Sequence, residues 1–427
     1  MTAAVLFAGL AGFLIFNVPV GIAIGLACML TIVTFGTLSD LYISQTLVSA
    51  TDSFPIMAIP LFILAGDLMG AGGVSRRILA VAQAFIGRVT GGLAIVTVVV
   101  CMFFAAVSGS GPATVAAVGS MVIPTMIEAG YSRSFVLALL ATAGSIGVII
   151  PPSIPMVLYG VSTGTSISSL FLAGAGPGLL IGFVLIVYVY FYSKKKGWSG
   201  DPTPFDGRKA LAVTWEAKWA LLNPVIILGG IYAGIFTPTE AAAVAAVYAF
   251  VCGAFIHREL KAGDIFRTVA TSCATTGTVM IILGCASTFA RILTIEQIPG
   301  AIADGLLQIS SNPIIIMLII NALLLLVGCV MDTTPAILVL SPILYPVATS
   351  LGIDPIHFGI VMVVNLAIGF ITPPLGINLF VAARIGESSL SRVIQGIVPF
   401  VIAMILSLLV ITYVPAVSLG LLSLVGR

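Results

Sequence analysis

Charged side chains are scarce in this sequence. Asp, Glu, Lys and Arg make up 7% of its 427 residues, whereas hydrophobic residues make up 60%. Soluble domains carry about 25% charged residues. Many apolar segments here reach the roughly 20 residues that a membrane-spanning helix needs. The composition excludes a soluble globular protein and predicts an all-α polytopic membrane protein.

Several functional motifs are also missing. The sequence has no G-x-x-x-x-G-K-[ST] phosphate loop and no H-E-x-x-H metal site. Its six cysteines are scattered through apolar segments without a C-x-x-C pair, which favours packing residues over disulfides or metal ligands. The sequence therefore predicts no enzyme, and any uphill transport needs an ion gradient or a partner.

The distribution of basic residues predicts the topology. Hydropathy indicates membrane spans near 3–16, 19–35, 53–72, 134–162, 168–193, 220–236, 239–256, 266–290, 357–383 and 395–420. If the N-terminus lies outside, all of the 17 Lys and Arg residues except Arg291 and Arg427 fall on the inner side. This agrees with the positive-inside rule.

Two further apolar stretches, 91–127 and 312–348, are interrupted at their centres. The interruptions are SGSGP (108–112) and MDTTP (331–335). Polar tips of this kind predict re-entrant hairpins, whose non-helical backbone must be covered by protein or by a wet cavity. The charge pattern does not separate a hairpin from two full spans joined by a short turn, so the tips carry this prediction.

The sequence contains an internal repeat. The stretch IGVIIPPSIP (146–155) recurs in similar form as IGFITPPLGI (368–377), at an offset of 222 positions. Each Pro-Pro pair predicts a broken helix, because proline removes a backbone donor and restricts the residue before it. Each half has five crossings, so the halves are inverted. Inverted repeats with paired broken helices point to a secondary transporter with a midplane site; the alternative is a duplication whose prolines only serve packing.

A broken membrane helix frees carbonyl groups at one half-helix end and N–H groups at the other. Carbonyls and hydroxyls suit a hard cation such as Na⁺, and N–H groups suit a carboxylate. The cation candidates are Ser108, Ser110, Gly147, Ile150 and Pro152 in the first half and Asp332, Thr333, Gly369, Thr372 and Leu375 in the second. The substrate candidates are Ser145, Ser153, Thr334 and Asn378.

Asp332 admits two interpretations. An ionisable group at a hairpin tip is costly unless it faces a cavity or a partner, which makes it a functional candidate. An Asp at this position can instead bond the N–H groups of Thr334 or Ala336 and only shape the turn.

Together these motifs resemble the large membrane subunit of tripartite ATP-independent periplasmic (TRAP) transporters. The resemblance rests on the two Pro-Pro breaks and on the hairpins SGSGPATVAAVGSMVIP and MDTTPAILVLSPILYP, and it covers essentially the whole chain. It implies a bacterial inner-membrane protein with a periplasmic N-terminus. It also implies Na⁺-coupled import of an organic acid by an elevator motion, with a small four-helix membrane subunit and a periplasmic binding protein as partners.

The same resemblance implies where the ligands bind. The first Na⁺ would lie between Ser108–Ser110 and Gly147–Pro152, and the second between the MDTTP tip and Gly369–Leu375, with the substrate carboxylate between the two tips. Family members carry C4-dicarboxylates, sialic acid and other acidic sugars or keto acids. The whole-chain impression is nearest to the sialic acid members, although no residue decides the substrate.

The predicted organisation is an inverted pair of repeats. The first repeat, 1–218, contains scaffold spans 3–72, connector 74–90, hairpin 91–127, broken span 134–162, span 168–193 and cytoplasmic loop 194–218. The second repeat, 219–427, contains scaffold spans 220–290, connector 294–310, hairpin 312–348, broken span 357–383 and span 395–420.

Two competing hypotheses differ in their partners. A single-component Na⁺/dicarboxylate symporter of the related fold would need no other subunit. An ion-translocating or scaffolding subunit of an energy-coupling complex should show Lys and Glu chains within the spans, and this sequence has almost none. Membrane lipid is an expected partner in every case, and no feature indicates nucleic-acid binding.

Overall fold

The fold is built from helices, as seen in a computed structural model. The structure describes residues 1–36, 38–39, 41–200, 205–310 and 312–424, and these contain no β-strand. The all-helical prediction is confirmed for this part of the chain. Residues 201–204 of the predicted cytoplasmic loop, and Arg427, lie outside the described residues.

The first half of the chain forms ten helices within these residues, with 3₁₀ turns at Phe54–Met57 and Ile146–Val148. The helices are α1 (Thr2–Ile15), α2 (Val20–Phe35), α3 (Tyr42–Ser49), α4 (Ala58–Ala71), α5 (Val74–Ile86), α6 (Gly92–Ser108), α7 (Gly111–Glu128), α8 (Arg133–Ser145), α9 (Ile154–Thr163) and α10 (Ile167–Lys196).

The second half follows a similar order, with a π-helical turn at Cys252–Ile256. Its helices are α11 (Gly207–Glu216), α12 (Lys218–Tyr232), α13 (Pro238–Val251), α14 (Ala262–Ile295), α15 (Ile298–Ile309), α16 (Pro313–Gly328), α17 (Thr333–Ser350), α18 (Pro355–Gly369), α19 (Ile377–Ile385), α20 (Leu390–Tyr413) and α21 (Ala416–Leu424).

Six helical segments in the described part of the chain are long and apolar enough to cross a membrane. They are Phe54–Ala71, Ile167–Lys196, Pro238–Ile256, Ala262–Ile295, Thr333–Ser350 and Leu390–Tyr413, and the pair α11–α12, bent by 60°, makes a possible seventh. Helix α1 has 14 residues, about 21 Å at 1.5 Å per residue, which is shorter than the roughly 30 Å hydrocarbon core.

The helices pack in two groups that meet at the first hairpin tip. Helices α1, α2, α4, α13 and α14 pack against one another, and α14 also contacts α17. Helices α6, α7, α8, α19 and α20 form the other group. A Cβ on Gly66 of α4 would lie 2.9 Å from Ser108 Cα at the end of α6. The absence of a side chain at Gly66 therefore lets the two groups touch at this tip.

An ion-pair cluster holds the junction between α4 and α5. Arg76 and Arg77 contact the two carboxylate oxygens of Glu259 at 2.6 and 2.7 Å. His257 Nδ1 donates to the Gly72 carbonyl at 3.1 Å. Because these residues precede α14, the start of the predicted connector is fixed to the loop before that helix.

Candidate ion and substrate site

The first hairpin ends in a hydroxyl cluster. Helices α6 and α7 are joined by Gly109 and Ser110. Thr114 Oγ1 lies 3.0 Å from Ser108 Oγ and donates to the Ser110 carbonyl at 2.8 Å. Ser108 is buried with 2% of its surface exposed. Ser110 caps α7 through a hydrogen bond from the Ala113 N–H at 3.5 Å. The tip therefore groups three hydroxyl oxygens where the chain reverses.

This tip lies directly against the break between α8 and α9. A Cβ on Gly109 would lie 2.8 Å from the Pro152 carbonyl oxygen, and Gly109 has a φ of +60°. A Cβ on Gly147 would lie 2.6 Å from the Ser110 carbonyl oxygen. Only glycine gives this close approach at both positions. The structure thus brings together Ser108, Ser110, Gly147 and Pro152.

The two other serine candidates of the first break form hydrogen bonds with carbonyl groups close to them in the chain. Ser153 Oγ donates to the Val148 carbonyl at 2.6 Å, and Ser145 Oγ donates to the Thr142 carbonyl at 2.7 Å. Both hydroxyl hydrogens are occupied, so these side chains offer a ligand only their oxygen lone pairs. The Ile150 side chain lies against Gly178 of α10.

The second break is held by a different partner from the first. A Cβ on Gly369 would clash with the Gly328 carbonyl oxygen. The Leu375 N–H donates to the Cys329 carbonyl at 3.0 Å. Gly369 and Leu375 therefore contact the end of α16, three to four residues before Asp332.

The MDTTP tip begins helix α17. Asp332 occupies the N-cap position, and Thr333 Oγ1 donates to its carboxylate at 3.2 Å. Thr334 follows in the first turn and is half-buried. Thr372 Oγ1 donates to the Ile368 carbonyl at 2.8 Å.

In the described part of the chain, the residue before each Pro-Pro pair has a carbonyl oxygen that accepts no hydrogen bond. Among the described residues, no N–H or O–H group donates to the carbonyl oxygen of Ile150 or of Thr372. The peptide bond between the prolines is cis in both pairs. The first pair is buried, whereas Pro373, Pro374 and Leu375 are exposed. Unpaired carbonyls at both breaks are what a cation site needs, since backbone carbonyls are oxygen ligands.

Asn378 joins the two halves at the centre of this site. Its Nδ2 donates to the Ala141 carbonyl of α8 at 3.0 Å. A Cβ on Gly111 of the first hairpin would lie 3.4 Å from the same Nδ2 and 3.1 Å from the Phe370 ring. Asn378 Oδ1 is buried and has no hydrogen-bond partner in the described part of the chain. An acceptor left in this state is available to a ligand or a water molecule.

A cavity of about 670 Å³ adjoins the first tip. It separates α7 from α4 and α14, and its polar lining includes Asp67, Ser75, Arg76, Ser120, Glu259 and Arg267. A smaller cavity of about 270 Å³ lies between α14 and the end of α9, and Ser53, Ser162 and Leu338 line it.

Sequence reasoning missed three contact residues and one motif. Thr114, Gly66 and Gly328 complete the contacts described above; only Thr114, one helical turn after Ser110, left a visible signal. The stretch GVSTG (160–164) matches the G-x-S-x-G pattern of serine hydrolases. Its Ser162 Oγ instead lies 2.8 Å from Ser341 Oγ, and the stretch ends helix α9 rather than joining a strand to a helix.

Comparison with known families identifies the chain. The model of the DctM component of the tripartite ATP-independent periplasmic transporters matches residues 7–417. The chain belongs to this family. Several of its relatives are named as transporter permeases.

The relatives in the DctM family are named for different substrates. The chain is 50% identical over 415 residues to the isethionate TRAP transporter permease protein DctMQ of Oleidesulfovibrio alaskensis, covering 97% of this chain and 65% of that protein, just under two thirds of its length. It is 44% identical to the C4-dicarboxylate large permease protein DctM of Pseudomonas aeruginosa, covering 95% and 94%. It is 36% identical to the sialic acid large permease protein SiaM of Vibrio cholerae, covering 96% of both chains.

A solved structure shares the fold of this DctM-family chain. The Alcanivorax borkumensis YdaH transporter superposes with a TM-score of 0.60 and covers 87% of each chain. Its sequence identity of 16% supports a shared fold and nothing more specific.

Proposed function

We propose that this chain is the permease subunit of a Na⁺-coupled importer for a small organic acid. The observation that carries the proposal is the pair of helix breaks, each with an unpaired carbonyl before its prolines and each touching a hairpin. Carbonyl and hydroxyl oxygens are the ligands that Na⁺ prefers among those available here. One Na⁺ would bind among Ser108, Ser110 and Gly147–Pro152.

The second Na⁺ would bind between the Asp332 tip and Gly369–Leu375. The contacts of Gly369 and Leu375 with Gly328 and Cys329 support this assignment, because they hold the break beside the residues that lead into Asp332. The Asp332 carboxylate would supply charge that the first site lacks. The substrate carboxylate would lie between the tips, near Asn378 and the start of α19.

The hairpins are re-entrant in this proposal. The first tip meets α8–α9 at the break, halfway along that span, rather than at either end. A pair of full spans would place the tip beside the far end of α9. The two halves would then form an inverted repeat of five spans each, and hairpins and broken spans would move together against the scaffold as an elevator.

The conformation would be inward-facing. The larger cavity contains Arg76, Glu259 and Arg267, and these lie in loops and helix ends that the basic residues place on the inner side. The smaller cavity would lie on the opposite side, where α14 packs against α17. This assignment also places the N-terminus in the periplasm and the protein in the inner membrane.

The sequence identities favour a substrate of two to four carbons, either a hydroxyalkane sulfonate or a C4-dicarboxylate, over sialic acid. The isethionate and C4-dicarboxylate proteins are 50% and 44% identical to this chain, against 36% for the sialic acid protein. The partners would be a small membrane subunit and a periplasmic binding protein that delivers the substrate.

The test is reconstitution. The chain and its small subunit are placed in proteoliposomes, and uptake of labelled isethionate, succinate and sialic acid is measured with an inward Na⁺ gradient. Uptake should require the binding protein, the small subunit and Na⁺ together. Uptake by this chain alone would indicate a single-component symporter, and uptake without Na⁺ would contradict the proposed coupling.

A further inference from the structure

Asp67 is an acidic residue within a membrane-spanning helix. It lies in the segment Phe54–Ala71 and lines the larger cavity. In the part of the chain that the structure describes, Ser272 Oγ of α14 is the side chain that bonds its carboxylate, at 2.6 Å, and no basic group comes within ion-pair distance. An ionisable group inside a membrane span is by default a functional candidate.

Each of the other charged residues in the described cavity lining has an ion-pair partner. Glu259 is shared between Arg76 and Arg77. Arg267 lies 3.1 Å from Asp264, which is outside the cavity lining. Asp67 is thus the one negative charge among the described lining residues that has no positive counterpart.

Neutral hydroxyl groups line the same cavity as this charge. Ser75 Oγ is buried, has no hydrogen-bond partner among the described residues, and belongs to a residue that lines the same cavity. The hydroxyls of Ser120, Thr268 and Thr271 line it as well. A carboxylate with hydroxyl oxygens in a water-accessible space suits a hard monovalent cation, whereas it disfavours an organic anion.

The cavity also adjoins the hairpin that carries the first proposed cation site. Gly66, the neighbour of Asp67 in α4, lies against the Ser108 backbone. Phe104 and Ala113, on the two arms of the first hairpin, line the cavity with Asp67. A cation that left the hairpin tip toward the inner side would therefore enter the space that contains the Asp67 carboxylate.

We propose that Asp67 forms a transient Na⁺-binding site on the inner exit path of the first cation site. The proposal rests on the Na⁺-coupled function proposed above. The Asp67 carboxylate would bind Na⁺ after it leaves Ser108 and Ser110, with lining hydroxyls as further ligands. The same site would bind Na⁺ from the inner solution and oppose its release.

The test uses the transporter reconstituted in proteoliposomes, with the binding protein added only to the external solution. Only transporter molecules whose periplasmic face points outward are then active, so the luminal solution corresponds to the inner side. External and luminal Na⁺ are varied separately while initial uptake is measured. Asp67→Asn should raise the luminal Na⁺ concentration for half-inhibition about three- to fivefold, the size of a partly solvated charge pair. Half-saturation by external Na⁺ should change less than about twofold.

Two matched variants separate charge from packing. Glu216→Gln removes an exposed acidic side chain of α11 that does not line the cavity, and should leave both Na⁺ dependences unchanged. Ser272→Ala removes the helix-to-helix hydrogen bond and keeps the carboxylate, and should retain luminal inhibition. Unchanged luminal inhibition in Asp67→Asn, or an equal shift in Ser272→Ala, would overturn the exit site. A wild type that ignores external Na⁺ would instead overturn the proposed function.

Discussion

Gly147→Ala is the sharpest test of the first break. The added Cβ would lie 2.6 Å from the Ser110 carbonyl oxygen and 2.6 Å from Thr114 Oγ1. Ordinary contacts between these atoms are about 3.4 Å or longer, so the hairpin tip must move by about 0.8 Å. The Ser110 carbonyl cannot move alone, because it accepts hydrogen bonds from Thr114 N at 3.1 Å and from Thr114 Oγ1 at 2.8 Å.

The expected cost follows from overpacking. Inserting a methyl group into a packed site costs about 1–3 kcal/mol, which corresponds to roughly 5- to 150-fold in a binding constant. If the Ser110 and Gly147 backbones form a Na⁺ site, most of this cost is added to the Na⁺-bound state. Half-saturation of uptake by external Na⁺ should rise within that range.

The assay is a Na⁺ titration of uptake in proteoliposomes, with thermal unfolding measured in detergent. Gly277→Ala is the matched control, because no atom lies within 4 Å of a Cβ at Gly277 in α14. It should leave Na⁺ half-saturation unchanged. If Gly147→Ala behaves like the control while the protein remains folded, the first break is not part of a cation site.

Two further predictions concern the second tip and the α4–α5 junction. Asp332→Asn should weaken Na⁺-dependent uptake at least about tenfold, since it removes a hydrogen-bonded charge worth 1.5–3 kcal/mol, without loss of expression; normal Na⁺ titration would show that Asp332 only shapes its turn. Burial opposes ionisation of Glu259, but its contacts with Arg77 and Arg76 hold its pKa below the ordinary 4.5. A lowered pKa stabilises the fold above that value and loses the effect as pH falls through the folded-state pKa. Glu259→Gln should therefore unfold at a lower temperature than the wild type at pH 7, because its free energy of unfolding falls by about 1 kcal/mol or less, the size expected for a partly exposed ion pair. The difference should shrink below about pH 4.5, and a difference that is constant from pH 7 to 4 would contradict the ion-pair explanation.

The sequence was most informative where its local chemistry was strongest. Each Pro-Pro pair prevents a continuous helix, so the breaks at 151–152 and 373–374 were predictable from proline alone. The tips SGSGP and MDTTP likewise predicted where α6–α7 and α16–α17 are interrupted. The family assignment followed from the same motifs and is confirmed by the match over residues 7–417.

Contacts between distant segments were not predictable in this way. Gly328 meets Gly369 because helices α16 and α18 pack closely, and neither position differs locally from the many other glycines in apolar helices. Gly66 contacts Ser108 for the same kind of reason. Asp67 is one acidic residue in an otherwise apolar span, and its unpaired charge becomes informative only once the surrounding cavity is known.

The hydrogen bond from Asn378 to Ala141 has a consequence for biogenesis. When the first half leaves the ribosome, the segment that covers Gly111 and reaches the Ala141 carbonyl has not been synthesised. The first hairpin therefore enters the membrane without part of its final packing surface. Its assembly must wait for the last quarter of the chain, so a nascent protein truncated before residue 378 should be recognised as incomplete by membrane quality control.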